Sequence, residues 1–131
     1  MDGGPASSSL LSGVLLAESL RLDAVLTTDA LRVRRVWRAD AGDPEAGQPS
    51  LWTFLEFDVA EDDADRLAVD LRDVLSDVGG WYCSFGSTTE MIVVFADRIF
   101  RYRRGDAAER AAVEAHARSL GVPEAQLDWE G

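Results

Sequence analysis

The run from Gly80 to Tyr102, GWYCSFGSTTEMIVVFADRIFRY, constrains this chain more than any other stretch, because it concentrates aromatic and β-branched residues. Such side chains suit a pleated, half-buried surface. The spacing predicts three short antiparallel strands, with turns at Gly86-Ser87-Thr88 and Ala96-Asp97-Arg98. Trp81, Cys83 and Phe85 alternate with Tyr82 and Ser84, while Phe100 and Tyr102 alternate with Arg101 and Arg103. Met91 to Phe95 is apolar on both faces, as an interior strand requires.

The flanking segments supply partners for that meander. Leu51 to Val59 reads as a strand with Leu51, Thr53, Leu55, Phe57 and Val59 on one face and Trp52, Phe54, Glu56 and Asp58 on the other. Leu31 to Ala39 reads as an amphipathic strand, with Leu31, Val33 and Trp37 facing one way and Arg32, Arg34 and Arg38, with Val36, facing the other. Asp40 to Ser50, rich in Pro, Gly and acids, reads as a solvated loop that joins the pair.

Two helices are expected. Leu67, Leu71, Val74, Leu75 and Val78 make one apolar stripe over Glu61 to about Asp77, acids crowd the first turn, and Gly79-Gly80 stops the helix. Asp106 and Glu109 form a capping pattern for a helix reaching about Leu120, after which the tail folds back and buries Leu127 and Trp129. Residues 10 to 26 are open to two readings. A helical stripe of leucines is interrupted by Gly13, so a strand at about 13 to 17 followed by a helix over Leu20 to Leu26, capped by Ser19, is preferred.

The fold expected is therefore α+β: an antiparallel sheet of about five strands with two helices packed on one face. The nearest named arrangement is ferredoxin-like, because strand-helix-strand-strand-helix runs in order from Leu51. Residues 1 to 9 read as a flexible tail and 10 to 131 as one domain, a length that buries roughly two-thirds of the unfolded chain's surface. With 47% apolar residues the core needs neither disulfide nor metal, and no cofactor is implied. Cys83 is the single cysteine and has no partner for an intramolecular bridge, which points to a reducing compartment. No basic n-region precedes Arg21 and no apolar run approaches the roughly 20 residues of a membrane span, so the reading is cytoplasmic.

Charge narrows the partners. With 24 acidic and 13 basic residues the net charge is −11, which opposes binding to nucleic acid or anionic lipid. Every basic residue is arginine, and two acid-free stretches hold eight of them: Arg32, Arg34, Arg35 and Arg38, then Arg98, Arg101, Arg103 and Arg104.

Glu18-Ser19-Leu20, Gly80-Trp81-Tyr82, Ile92-Val93-Val94-Phe95, Ile99-Phe100 and above all the closing Ser119-Leu120-Gly121-Val122-Pro123-Glu124-x-Gln126-Leu127-Asp128-Trp129 resemble a family of small uncharacterised prokaryotic proteins. The similarity runs from about residue 14 onward. It implies one compact domain and no catalytic residue.

Chemistry-bearing residues are few. His116 is the only histidine and falls late in the second helix, where a packed or surface role outweighs a catalytic one. Cys83 is expected to face the core, where a thiol is inert. Glu61-Asp62-Asp63-Ala64-Asp65 lacks the spacing of a calcium loop and reads as a helix start; no zinc spacing and no phosphate loop is present. If the arginine-bearing strands share one face, Arg34, Arg101 and Arg103, with Tyr82 and Ser84 beside them, form a positive patch for a protein partner or a small anionic ligand. The alternative is that these arginines form ion pairs with Glu56, Asp58 and the acidic helix.

The leading expectation is a small non-enzymatic binding or interaction protein that uses the arginine-bearing sheet face, or that pairs edge strands into a homodimer. A second is a small-molecule-binding enzyme or accessory protein of a biosynthetic pathway, with a pocket near Tyr82, Ser84, Glu90 and Arg101. A third, resting on size and acidity, is an immunity-type inhibitor.

Overall fold

A computed structural model describes residues 10 to 129; the tail assigned to residues 1 to 9 lies outside them. Six strands form one antiparallel sheet: β1 (Leu10–Leu16), β2 (Leu31–Asp40), β3 (Leu51–Ala60), β4 (Cys83–Gly86), β5 (Glu90–Val94) and β6 (Ile99–Arg103). Their order across the sheet is β2-β3-β1-β4-β5-β6. Two α-helices, α1 (Ala64–Val74) and α2 (Ala107–Ser119), complete the α+β fold. Among the described residues no helix is long and apolar enough to cross a membrane.

The strand expected at about 13 to 17 is β1, which starts earlier, at Leu10, lies near the middle of the sheet and pairs with β3 over its whole length and with β4 over three residues. The helix expected over Leu20 to Leu26 does not form. Ser19 is buried and its hydroxyl bonds the Leu16 carbonyl at 2.6 Å instead of capping a helix. Leu20 bridges Leu75, and the Arg21 amide donates to the Val74 carbonyl at 2.8 Å, so this segment latches onto the end of α1. The same bridge draws Leu75 into an extended conformation and ends α1 three residues before Asp77.

The helices lie on opposite faces of the sheet, not on one. Leu67 and Leu71 of α1 pack with Leu11, Leu15, Phe57, Val59, Phe85, Ile92 and Val94. Val113 and Ala117 of α2 pack with Met91, Val93, Phe95, Phe100 and Tyr102, together with Trp129 of the C-terminal segment. The physical reason lies in β5: Met91 and Val93 point one way and Ile92 and Val94 the other, so a strand apolar on both faces needs cover on both. This separation departs from the ferredoxin-like arrangement. It also leaves cover unequal, because α2 and the C-terminal segment shield only the β5-β6 end of their face.

The amphipathic reading of β2 holds only up to Val33. A bulge between Val33 and Arg35 inserts one residue, after which the register is Arg35 opposite Glu56, Val36 opposite Leu55 and Trp37 opposite Phe54. An extra residue flips every later side chain to the other face. Trp37 thus joins the face of Trp52 and Phe54, whereas Val33 and Val36 share the α1 face.

Candidate binding groove

The uncovered half of the α2 face holds a groove of about 330 Å³. The sheet contributes Val14 and Leu16 from β1, Phe54 from β3 and Ser84 from β4. Trp37, Trp52 and Trp81 add three indole rings. Tyr82, Gln126 and Asp128 complete the lining beside the C-terminal segment. The aromatic residues brace one another: Trp37 stacks on Phe54 with centroids 5.0 Å apart and planes within 2°, and Trp52 meets Phe54 at 6.0 Å and Trp81 at 5.4 Å.

Polar contacts hold the groove's far side in place. Gln48, 3% exposed although it falls in the presumed solvated loop, forms a reciprocal amide pair with Gln126, both bonds 2.9 Å. It also donates to the Gly79 carbonyl at 2.8 Å and accepts from the Asp43 amide at 3.0 Å. One buried side chain therefore ties the β2-β3 loop, the approach to β4 and the C-terminal segment together. Gly80 assists, since at φ +70° a Cβ there would lie 2.8 Å from the Gly121 carbonyl oxygen and 2.9 Å from Val122 Cα. The Tyr82 hydroxyl donates to the Gln126 carbonyl and lies 3.2 Å from Asp128 Oδ1. Burial, reinforced by the Asp128 charge, raises the Tyr82 pKa above its ordinary value, so the phenol is a neutral donor.

Of the residues singled out from the sequence, Tyr82 and Ser84 belong to this groove. Arg34, Arg101 and Arg103 do not. β2 and β6 are opposite edges of the sheet, five strand spacings of about 4.8 Å apart, or about 24 Å. Arg101 and Arg103 point to the α1 face, and Ser84 points to the other. The positive patch expected from these arginines is therefore not assembled, and ion pairs form instead. Arg34 reaches Glu56 at 3.4 Å and Asp58 at 3.3 Å, and Arg35 reaches Glu56 at 3.3 Å. Arg101 bonds Asp65 and Glu90 at 2.7 Å each and Glu61 at 3.0 Å, which clamps the start of α1 to the sheet edge. Hydrogen bonding to Arg101 holds the Glu90 carboxyl below the usual carboxylate range.

The two remaining chemical candidates are engaged elsewhere. Cys83 is buried on the α1 face, and burial pushes its thiol up to about 12. His116 Nε2 sits 2.9 Å from Asp97 Oδ1, its ring edge-on to Phe95 at 5.0 Å. Trp37, Gln126 and Asp128 were not anticipated as site residues. Trp52 and Phe54 carried the one usable signal: two large aromatics on the half-polar face of β3.

Comparison with known protein families, curated proteins and solved structures finds no significant match for this chain.

Proposed function

We propose that this is a non-enzymatic binding protein whose ligand is a small molecule seated in the aromatic groove. The observation that carries the reading is the groove itself: about 330 Å³ lined by five aromatic side chains with a few polar groups at its edge, the composition of a small-molecule site. A binding role for the arginine strands has less support, because Arg34, Arg35 and Arg101 already have carboxylate partners. The non-enzymatic reading is supported by Cys83 and His116, each committed to packing or pairing away from the groove. The accessory-protein reading would use the same groove, with Tyr82 and Ser84 but without Glu90 and Arg101.

The test is a thermal-shift and tryptophan-fluorescence screen of flat, soluble fragments against the wild type and Ser84→Trp, a substitution that fills the groove from its floor. Fragments that raise the melting temperature and quench fluorescence in the wild type should do neither in the folded variant. Hits that survive Ser84→Trp unchanged, or an absence of hits, would refute the reading.

A further inference from the structure

Resting on the groove as a ligand site, we infer that its ligand is a small organic cation with a compact apolar body, such as a quaternary or protonated amine. Among the described residues Asp128 is the only charged side chain in the lining, although the chain carries thirteen arginines. Its carboxylate stands at the exposed rim, touches the Tyr82 hydroxyl at 3.2 Å, and has no arginine within ion-pair distance among the described residues. An anionic ligand would therefore meet one carboxylate and no countercharge.

The rings point the same way. The faces of Trp, Tyr and Phe carry negative electrostatic potential and attract cations lying within about 6 Å of the centroid. Trp37, Trp52, Phe54, Trp81 and Tyr82 line one space, and of these Trp37 is already engaged by the stacked Phe54 ring and the Arg35 guanidinium. The protein already pairs cations with its indoles in this region. The Arg35 guanidinium lies 4.5 Å from the Trp37 centroid, and that of Arg110 lies 4.6 Å from the Trp129 centroid. Arg35 does not add a free positive charge at the rim, since Glu56 pairs with it at 3.3 Å. The net charge of −11 adds a long-range field that draws cations toward the surface.

Matched probes separate charge from shape. Choline and 3,3-dimethylbutan-1-ol differ in replacing a quaternary nitrogen by carbon; benzyltrimethylammonium and benzenesulfonate carry opposite charges on a similar ring. Each is titrated against the full chain by tryptophan fluorescence and calorimetry at a fixed, near-physiological ionic strength. The cations should bind at least about tenfold more tightly than their neutral or anionic counterparts, since a cation over aromatic faces with a nearby carboxylate adds that order of preference. Asp128→Asn, at an exposed position where folding is not at risk, should weaken cation binding about three- to tenfold and leave the neutral probe unchanged. Trp37→Ala should weaken it further. If the neutral alcohol or the sulfonate binds as well as its cationic counterpart, the cation inference is overturned while the groove stands as a ligand site. If none of the four probes perturbs the tryptophans, and fragment screening also finds nothing, both fall together.

Discussion

Replacing Gly13 by alanine should damage this protein more than its position in a strand would suggest. Gly13 sits in β1 opposite both Phe57 of β3 and Phe85 of β4. A Cβ there would lie 2.4 Å from the Ser84 carbonyl oxygen, 2.5 Å from Phe85 Cβ and 2.9 Å from Phe85 Cα. Relaxed contacts between carbons are about 3.5–4.0 Å, so β4 would have to retreat by roughly an ångström. Only three residue pairs join β1 to β4, and that junction connects the β2-β3-β1 half of the sheet to the β4-β5-β6 half. Overpacking costs about 1–3 kcal/mol and each weakened ladder hydrogen bond about 1 kcal/mol, giving about 3 kcal/mol. For a domain of this size that lowers the melting temperature by about 10–15 °C. Gly47→Ala is the internal control: at φ +84° it strains the backbone, but nothing lies within 4 Å of the added carbon, so about 1 kcal/mol is expected. Circular-dichroism melts and urea titrations of both variants decide the matter. A Gly13→Ala protein no less stable than Gly47→Ala would refute the reasoning.

Two further outcomes follow from the charge clamp and the buried thiol. Arg101→Gln removes the shared partner of Glu61, Asp65 and Glu90 and should cost about 1–2 kcal/mol at neutral pH, more than a single exposed pair because three acids are left together. Glu90's folded pKa lies below its unfolded value, so its contribution is fully present above about pH 4.3 and is lost as pH falls through the folded value. Urea midpoints of wild type and variant should therefore converge in acid, and a constant offset from pH 7 to pH 3 would count against the clamp. Cys83, fully buried with its thiol raised to about 12, should resist alkylation in the native protein and react on denaturation; rapid native labelling would contradict its placement in the core.

Much of the fold was readable because single strands and helices declare themselves locally. The alternation of β3, the turns around β5 and the Asp106 cap, whose carboxylate accepts from the Glu109 amide at 3.1 Å, follow from residues close in sequence. β1 was half-legible: Gly13 argued against a helix, and the reason it is glycine is a strand 70 residues away. The opposite placement of α1 and α2 had a readable signal in the two apolar faces of Met91 to Val94, but which helix covers which face depends on how the chain turns after β3 and β6.

The sequence by itself determined the α+β class, the antiparallel meander, the buried Cys83 and the placement of Ser84 on the opposite face from it, since each depends on side-chain period within one element. Tertiary structure alone decided the groove. One inserted residue at Arg34 turns Trp37 toward Phe54, the strand order sends the arginine strands to opposite edges, and buried Gln48 joins segments 78 residues apart through Gln126. A bulge, a strand order and a long-range amide pair leave no periodic trace along the chain, because each is set by partners that become neighbours only on folding.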